Sequence, residues 1–559
     1  MRLAALAELA AYVGLVLWLT WPLVAHLDTH LAGASASDAV YGIWALAWDA
    51  RTLATEPGNL FDPTLMHPTH RAFFYSPHGL GTVPIFAPVF LATGDPLFAF
   101  NVTLILCLSL TAWSLHRVTV RWTDSRLAGF VAGCSIIASP LWTPLLTKWP
   151  TYLSTYYLPW IASLLALPTL GAGAVVALGA LIVLQCLTDP VYVAPSAIVP
   201  VAVVAIGRLA RRNGRGSGLR VLVALLGAVI ALGPLYAAYL GARTATVGPT
   251  LARPASAAIW KTVAVPLSLP WHEGFAPVTY TSLVLIVAGI LSLSFKGLAD
   301  DHARRAWRHG TIWAVVGLLV CAPIVIVFGR RVGNPLYGLV EIVAPRLLDV
   351  VRGTERLSFA MTMGLALLSG LGFAECQRRL GRRSRSLGVA LALASVVMIY
   401  VEWRSAMVDA LLYGRNEKSA MVFLHLSEGI RPDSPVVDAL RHGHGPVLEL
   451  PFSHQIGADA CYRAIFHRRP VLNGYPSYVP PEYAKRMALA ARLPDRASLD
   501  TLIRETGLTT LVVHGNSYLP RSQPWLAFSE REVEASGLRL VKRDGDEFVF
   551  EVTRSDRGH

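Results

Sequence analysis

The residues best equipped for chemistry lie in one polar stretch, residues 28–85, between two apolar runs near the amino terminus. Its candidates are three carboxylates, three histidines and a tyrosine: Asp38, Tyr41, Asp49, Asp62, His67, His70 and His78. A carboxylate beside a substrate hydroxyl can take its proton as a general base. The run HPTH has a spacing that is a weak metal signal without a third ligand. The stretch therefore offers candidates for proton transfer and a weak signal for a metal site.

A helix is predicted at the start of this stretch, in the run SASDAVYGIWALAWDAR. If Asp38 is set at zero and each residue advances by about 100°, Asp49 falls at about 20° and shares its edge. Tyr41, Trp44 and Trp48 form an aromatic flank, and small apolar residues occupy another side. An amphipathic helix of this kind is suited to the membrane interface.

Simpler explanations exist for the same residues. An acidic side chain is favoured in the first turn of a helix, so Asp38 could do no more than stabilise that end. The histidines could be incidental members of a polar loop, with no ligand to hold. Both alternatives stay open at the level of the sequence.

The elements that must position these residues are membrane helices. Of the 559 residues, 54% are hydrophobic and only 15% are charged, against about 25% charged in ordinary soluble domains. The mean hydropathy is +0.48. Apolar runs long enough to cross about 30 Å of hydrocarbon recur from residue 8 to residue 402. The composition predicts a polytopic membrane protein.

About eleven spans are predicted from windows of about 19 residues. They are residues 8–27, 86–116, 127–146, 152–170, 172–189, 191–207, 219–241, 279–296, 310–329, 357–376 and 387–403. The second is too long for one simple crossing, and its Gly-Asp-Pro at Gly94 to Pro96 predicts a short re-entrant or interfacial piece before the main helix. The tryptophans Trp18 and Trp21 near the end of the first span favour a retained anchor over a cleaved signal peptide.

The net charge of +13 is explained by topology. Basic residues gather in four short connections, residues 117–126, 208–220, 296–308 and 378–385, between apolar spans. The positive-inside rule places such connections in the cytoplasm, where they also contact anionic lipid. No nucleic-acid partner is expected. The amino terminus is predicted inside, and the long loops and the tail outside.

The tail after residue 404 has a different character from the spans. It contains the extended run PVLELP, a helical stretch through the 480s and 490s, the run TTLVVHGN, and two alternating runs around Asp-Gly-Asp that indicate a hairpin. We therefore predict a mainly α fold with two units. Residues 1–403 form the membrane unit with the catalytic first outer loop 28–85, and residues 404–559 form a small extracytoplasmic α/β domain.

Several short runs, taken in order, resemble the GT-C superfamily of membrane glycosyltransferases. Asp38 heads an interfacial helix early in the first outer loop, as in that superfamily. The runs NLFDP, AGFVAGCSIIASPLW (residues 128–142) and RGTERLSFA (residues 352–360), with the span holding Asn101, look like bacterial members. In the tail, GPVLELP and HRRPVLNGYPSYVPP resemble the periplasmic domain of related proteins. The resemblance implies a polyprenyl-phosphate-linked sugar as donor and a bacterial cytoplasmic (inner) membrane location.

The resemblance implies an inverting hexosyl- or pentosyltransferase with Asp38 as catalytic base. The departing lipid phosphate also needs cations where negative charge grows, and the outward-facing candidates are Lys148, Arg352 and Arg356. Alternatively, Lys148 snorkels to the interface and Arg352 pairs with Glu355. Substrate-binding candidates are Tyr41, Asp49, Asp62, His67 and His70.

No cofactor is expected. A strict DxD motif is absent from the outer loops, and the Asp-Gly-Asp at Asp544 belongs to the predicted tail hairpin. A divalent cation is therefore left without a motif to support it. The six cysteines form no CxxC pair, so neither a zinc site nor a disulfide framework is predicted.

Two rival functions remain open at this level. A transporter or flippase of lipid-linked saccharides would tend to show internal repeats and ionisable residues at mid-membrane, whereas here the polar chemistry is concentrated in the first outer loop. A non-catalytic cell-envelope assembly protein would have a degenerate site and a working tail. The acceptor of the sugar, a glycan, a lipid or a protein, is not indicated by the sequence.

Overall fold

Helices make up most of the chain, which confirms the mainly α prediction. The computed structural model describes residues 2–33, 37–140, 150–191, 193–244, 264–266, 278–296, 301–327, 330–343, 357–381, 384–408, 413–415, 422–424, 426–517 and 536–553. Apolar residues favour helices here because a helix satisfies its own backbone hydrogen bonds, as a bilayer requires.

The first part of the chain contains fifteen helices in the described ranges. They are α1 (Arg2–Leu19), α2 (Ser37–Thr55), α3 (Val83–Thr93), α4 (Pro96–Thr123), α5 (Arg126–Ile137), α6 (Pro150–Leu153), α7 (Tyr157–Leu165), α8 (Ala172–Thr188), α9 (Val193–Leu209), α10 (Arg215–Thr244), α11 (Tyr280–Lys296), α12 (Asp301–Cys321), α13 (Pro335–Val343), α14 (Phe359–Gly381) and α15 (Arg385–Val408). In the described residues, four helical segments are long and apolar enough to cross a membrane: Pro96–Thr123, Arg212–Ala242, Phe359–Leu380 and Ser386–Ser405. Several shorter apolar helices accompany them, and the count of eleven spans stays a prediction.

The predicted break before the second main span is confirmed. Helix α3 ends at Thr93, and Gly94 follows in the left-handed conformation with φ of 72°, which glycine adopts without steric cost. Asp95 then caps α4 by accepting a hydrogen bond from the Phe98 backbone N–H at 2.9 Å. The Gly-Asp-Pro run thus ends one helix and starts the next.

Several predicted spans differ from the structure in their bounds; the first, for example, holds α1, which ends at Leu19. The span at 152–170 contains the end of α6 and the helix α7 of 9 residues, about 14 Å long. The span at 310–329 is shifted, because α12 begins at Asp301 and ends at Cys321, and Ile324–Val327 forms a strand. Pro323 cannot donate a backbone hydrogen bond, and the β-branched run after it favours extended structure.

Glycines allow the membrane helices to cross closely. A Cβ atom at Gly317 of α12 would lie 2.1 Å from the Met361 nitrogen, and one at Gly364 of α14 would lie 2.3 Å from the Ala314 nitrogen. A Cβ at Gly372 would lie 2.1 Å from the Leu285 carbonyl oxygen of α11. Such backbone approach is a common basis of helix association in membranes. Helix α14 is therefore the centre of this part of the bundle.

The four basic connections meet at one end of the bundle, together with the amino terminus. Glu8 of α1 pairs with Arg117 at 3.1 Å. The His302 ring lies 3.3 Å from the Arg121 carbonyl oxygen, and the Ser125 hydroxyl donates to the Gln377 side-chain oxygen at 2.5 Å. Arg208 and Arg308 are close enough to interact electrostatically. This clustering agrees with the shared side that the sequence predicts for these connections.

Short strands lie between and after the helices. β1 (His30–Ala32) pairs antiparallel with β7 (Leu426–Glu428), and β5 (Tyr413–Arg415) with β6 (Val422–Leu424). β2 (Ala264–Pro266), β3 (Ile324–Val327) and β4 (Arg330–Gly333) form a sheet in that order. This sheet joins the predicted outer loop 242–278 to the start of the predicted outer loop 330–356. The described strand segments of these two loops therefore lie together.

The tail folds as a small sheet with helices. Its helices are α16 (Pro435–His442), α17 (His454–His467), α18 (Pro481–Ala490) and α19 (Arg496–Thr506), and its strands are β8 (Val447–Leu450), β9 (Thr510–His514), β10 (Leu538–Asp544) and β11 (Glu547–Val552). The strand order is β10-β11-β9-β8, with β8 parallel to β9 and the other pairs antiparallel. The predicted strands and the hairpin, which turns at Gly545, are confirmed.

A buried group of charges lies between the sheet and α17. Glu449 on β8 is fully buried and accepts hydrogen bonds from Arg463 Nε at 3.0 and 3.2 Å. The His514 ring bridges Glu449 at 2.9 Å and Glu547 at 2.7 Å. Burial alone would raise the pKa of Glu449, but the charges of Arg463 and His514 outweigh it and lower that pKa to about 2. Glu449 is therefore held ionised inside the tail.

The tail and the first outer loop share one hydrophobic core. Residues of α2, such as Tyr41 and Trp44, pack in the same buried cluster as Cys461 and Tyr462 of α17 and Val471 after it. A second cluster fills the membrane bundle, and a third lies inside the tail. The two predicted units are therefore in close contact along the first outer loop.

Candidate active site

Helix α2 is confirmed, but its surroundings differ from those of an exposed interfacial helix. The helix runs from Ser37 to Thr55, and Ile43, Leu46 and Asp49 are completely buried. The membrane-side helices α3 and α4 cover one side, and α17 of the tail covers another. The aromatic flank and the acidic edge are thus enclosed by protein along most of their length, because the tail packs over them.

One segment of the tail is joined to the first loop by backbone hydrogen bonds. The Val471 N–H donates to the Thr64 carbonyl oxygen at 2.9 Å, and the Met66 and His67 N–H groups donate to Asn473 and Val471, each at 2.9 Å. Further along, the Ser477 N–H donates to the Tyr75 carbonyl oxygen at 2.7 Å, and the Ser76 hydroxyl donates to the Tyr475 carbonyl oxygen at 2.9 Å. We call residues 471–478 the docking segment.

Glycines let the docking segment approach its neighbours. A Cβ atom at Gly474 would lie 2.3 Å from Met66 Cγ, and one at Gly457 of α17 would lie 2.3 Å from the Gly474 carbonyl oxygen. The Tyr483 hydroxyl also donates to that carbonyl oxygen at 3.1 Å. Arg486, which is buried, donates to the Met66 carbonyl oxygen and to the Thr69 hydroxyl. The docking segment is therefore held from the loop side and from the tail side.

The docking segment places a tyrosine on Asp38. The Tyr475 hydroxyl donates to Asp38 Oδ1 at 2.6 Å, across 437 positions of the chain, a length typical of hydrogen bonds to an ionised carboxylate. Beside it, the Ser37 hydroxyl donates to the side-chain oxygen of Gln455, on the first turn of α17. Two tail side chains thus bind the first turn of α2, and Asp38 itself is half-buried.

The ring of Tyr475 stacks with two other rings. His454 stacks on it with centroids 4.0 Å apart, and Tyr41 of α2 stacks with centroids 5.2 Å apart. The Tyr41 hydroxyl donates to the Pro77 carbonyl oxygen at 3.2 Å. Burial, the charge of Asp38 and the hydrogen bond to it all raise the pKa of Tyr475. The phenol therefore stays protonated and acts as a donor towards Asp38.

Asp49 lies deeper, on the same helix. Its side chain has no exposed surface, and neither carboxylate oxygen has a hydrogen-bond partner. Burial raises the pKa of Asp49 well above its usual range, although the nearby backbone of Gly79 opposes this shift. A carboxyl group in this setting favours its neutral form. Asp49 is close enough to Tyr41 and Tyr239 to interact with them electrostatically, and it lies away from the Tyr475 hydrogen bond.

His78 is a second buried polar group of the loop. Both ring nitrogens lack hydrogen-bond partners, and the ring lies among Phe61, Phe73 and Tyr239 at centroid distances of 5.5–5.8 Å. Burial lowers the pKa of His78 to about 3. The imidazole is therefore neutral at physiological pH and forms part of an aromatic wall around the Asp49 end of α2.

The remaining loop candidates have contacts of their own, apart from the hydrogen bond between Tyr475 and Asp38. Asp62 accepts a hydrogen bond from the Arg71 backbone N–H at 3.0 Å and contacts the His70 ring at 3.2 Å, where His70 is largely exposed. His67 is half-buried, and burial lowers its pKa. The Asp62 contacts close a surface turn, which is a structural use of those side chains. Substrate binding by Asp62, His67 and His70 stays a prediction.

The three predicted phosphate-binding cations are Lys148, Arg352 and Arg356, and all lie outside the described residues. Their roles therefore stay predictions. Among the described residues, no group of three or more His, Cys, Asp and Glu side chains could hold a metal ion. The HPTH pair and the carboxylates of the loop are not brought together as a ligand set.

Tail residues reach the site although the sequence does not predict them as site residues. Tyr475 contacts Asp38, His454 stacks on Tyr475, and Gln455 contacts Ser37. Tyr239 of α10 donates to the Ser76 carbonyl oxygen at 3.3 Å and lines the Asp49 end. The only signal in the sequence is the mixture of glycine, aromatic and proline residues around Tyr475, which is compatible with a close contact but does not identify its partner.

The fold has counterparts among solved structures. The chain aligns over its whole length with the arabinofuranosyltransferase AftD from Mycobacteria, at 15% identity and a TM-score of 0.54, and with a mutant form at a TM-score of 0.55. The chain spans about two fifths of the length of that protein, 40% and 42% in the two structures. This likeness shows the fold alone: the chain shares the GT-C fold of AftD.

A weaker likeness extends to ArnT from Cupriavidus metallidurans. The form bound to undecaprenyl phosphate aligns with 98% of this chain and 97% of its own, at 13% identity and a TM-score of 0.38. The apo form aligns at 11% identity and a TM-score of 0.39. No family model matches the chain, and no curated protein matches it.

Proposed function

We propose that this protein is an inverting glycosyltransferase of the GT-C type. It moves one sugar from a polyprenyl-phosphate donor to an acceptor on the outer face of a bacterial cytoplasmic membrane. The observation that carries the proposal is the setting of Asp38 on a GT-C fold. Asp38 lies half-buried in the first turn of α2, and a protonated phenol holds its Oδ1 at 2.6 Å. A fixed carboxylate at this place is suited to accept a proton.

The reaction assigns one task to each group. Asp38 takes the proton of an acceptor hydroxyl as its oxygen attacks the anomeric carbon of the donor. The bond from the anomeric carbon to the phosphate oxygen breaks, and the polyprenyl phosphate leaves with that electron pair. Attack from the face opposite the leaving group inverts the configuration. One C–O bond forms for each that breaks, and the proton ends on Asp38.

The leaving phosphate needs cations at the level of the lipid headgroups. We assign this task to Lys148 and to Arg352 or Arg356. Arginine binds phosphate through a planar, bidentate fork, and lysine acts as a point charge. Replacing a true ligand with alanine should weaken donor affinity, and replacing arginine with lysine should restore only part of it. A loop-holding Arg352–Glu355 pair would instead lower stability with unchanged donor affinity.

The proposed orientation follows from the charge distribution. The four basic connections and the amino terminus lie at one end of the bundle, which the positive-inside rule assigns to the cytoplasm. Helix α1 carries Glu8 at that end and is 18 residues, about 27 Å, long, and the first loop follows its other end and packs with the tail. Both are therefore proposed to face outward, with about eleven spans. A reporter fused after residue 559 should be active only outside the cytoplasm.

The test uses a deletion strain, because such a strain reveals a missing transfer whichever sugar is moved. Mass spectrometry of its glycans and lipids should show a missing sugar unit relative to the parent. Wild-type protein should restore the unit, and Asp38→Asn should not. Asp500→Asn is the matched control, since Asp500 lies on the tail surface, paired with Arg496. It should restore the unit fully.

The purified protein then gives the magnitude. With synthetic polyprenyl-phosphate sugars, we expect Asp38→Asn to lower turnover by about 10²–10⁴ with donor affinity retained. Near wild-type turnover in the folded variant would refute Asp38 as the base. A strain that accumulates unflipped lipid-linked saccharide, with no transfer by the purified protein, would instead identify a flippase.

A further inference from the structure

We propose that the tail is part of the catalytic centre, and that Tyr475 is the residue that positions Asp38. The inference rests on the proposed function, because it concerns the same carboxylate. Tyr475 is a positioning residue, since its contact is with Asp38 and the reacting atoms lie beyond it. The tail thus completes a site that the membrane unit alone does not contain.

The first support is the geometry of the contact. The Tyr475 hydroxyl lies 2.6 Å from Asp38 Oδ1, and the ring stacks with His454 and with Tyr41 at centroid distances of 4.0 and 5.2 Å. Stacking against two neighbouring rings limits rotation of the phenol. A donor whose own position is fixed also fixes the carboxylate that it binds, which is the arrangement that efficient proton transfer requires.

The second support is the chemistry of the donor. The pKa of the phenol is raised by burial and by the charge of Asp38, so the phenol keeps its proton at any physiological pH. It can orient the carboxylate but does not compete with it as a base. A serine or threonine at this place would not bring an aromatic face for stacking. The pairing of a fixed donor with a fixed acceptor therefore depends on tyrosine.

The third support is the way in which the docking segment is anchored. Its backbone forms hydrogen bonds with Tyr75, Met66 and Thr64 of the first loop. The Gly474 carbonyl oxygen accepts a hydrogen bond from the Tyr483 hydroxyl of α18. Close contact at Gly457 leaves no room for a larger residue without movement. The position of Tyr475 is thus tied to the docking of the whole tail, and the geometry of Asp38 depends on that docking.

The test compares two single hydroxyl deletions in the full-length protein. Tyr475→Phe removes the hydrogen bond to Asp38 and keeps the ring stack. Tyr483→Phe removes a hydroxyl that bonds only the docking segment's backbone at Gly474, so it controls for loss of anchoring. Transfer is measured with the synthetic donor that the wild type consumes, and folding is measured by chromatography and thermal unfolding.

We expect Tyr475→Phe to lower kcat by about 10- to 100-fold, the loss of one hydrogen bond to a charged group, with KM for the donor unchanged. Tyr483→Phe should keep kcat within about threefold. In the Asp38→Asn background, Tyr475→Phe should cause no further loss of kcat, because the effects of substitutions at coupled residues do not add. This pattern would establish that Tyr475 acts through Asp38.

Other patterns would overturn the inference. Wild-type kcat in folded Tyr475→Phe, with Asp38→Asn inactive, would refute the role of Tyr475 and leave the proposed function intact. Equal losses in both phenylalanine variants, matched by lost stability, would show a purely structural role. Full activity of Asp38→Asn would remove the proposed base, and the role of Tyr475 would fall with it. A full extra loss for Tyr475→Phe in the Asp38→Asn background would also exclude action through Asp38.

Discussion

Replacing Glu449 with glutamine should make the tail unfold locally much more often, because the substitution removes the carboxylate from the buried group of charges. Glutamine keeps the shape of the side chain and removes its charge. Arg463, which is buried, then loses its closest carboxylate. Removing one partner of a buried ion pair typically costs about 3–5 kcal/mol, since the other charge remains away from water.

The pKa of Glu449 gives a comparable magnitude. It falls from 4.5 to about 2 in the folded protein. Each pKa unit corresponds to about 1.4 kcal/mol, so the ionised carboxylate contributes about 3 kcal/mol. Because the folded pKa is depressed, this contribution is present above pH 4.5 and is lost as the pH falls through about 2. The variant should therefore approach the wild type in stability under strongly acidic conditions.

Cys461 provides the assay. It is a buried, unpaired cysteine on α17, the helix that carries Arg463. Alkylation of Cys461, located by mass spectrometry in the full-length protein, reports how often this helix is exposed. A loss of about 3 kcal/mol should raise the labelling rate about 100-fold at pH 7, when the rate follows the open population.

Glu505→Gln is the matched control for this experiment. Glu505 pairs with Lys485 at 2.6 Å on the surface, and exposed pairs contribute only about 0–1 kcal/mol. It should raise the labelling rate by less than about fivefold. If Glu449→Gln changes the rate as little as this control, the reasoning from the buried pair is wrong.

Three further predictions concern buried groups and close contacts. Burial and the charge of Arg463 lower the pKa of His514, but hydrogen bonds to Glu449 and Glu547 raise it above 6.5. The stability that His514 contributes should therefore be fully present below pH 6.5 and should decline as the pH rises through the folded pKa. His514→Gln should abolish this pH dependence of the Cys461 labelling rate. Asp49→Asn should stabilise the folded protein more at pH 7 than at pH 4, as measured by thermal unfolding, because the raised pKa of Asp49 means that folding costs free energy once the pH is high enough to ionise this carboxyl in the unfolded chain. Loss of sugar transfer with unchanged folding would instead show that Asp49 binds substrate. Gly457→Ala should lower stability by about 1–3 kcal/mol, measured by Cys461 labelling, whereas Gly58→Ala, where a Cβ meets nothing within 4 Å, should match the wild type.

Much of the local structure follows from the sequence, for reasons that operate over a few residues. Apolar runs predict membrane helices because, in hydrocarbon, the backbone must form its hydrogen bonds within the chain. The period of α2 and the break at Gly94 to Pro96 depend on side-chain spacing and on the conformational limits of glycine and proline. The strands of the tail and their hairpin follow from alternation and turn chemistry. The basic connections likewise predict the topology from short stretches of sequence.

The candidate site could be predicted only in part. The sequence singled out Asp38 and its helix, because an acidic residue heading an amphipathic stretch is visible in a short window. It did not show that Tyr475, 437 positions away, donates to that carboxylate, or that Asp49 on the same edge is buried without a hydrogen-bond partner. Helical period tells which residues share a face, but what covers that face depends on contacts between distant segments. Only the tertiary packing of the tail on the first loop decides which acid accepts a hydrogen bond from a tyrosine and which is buried.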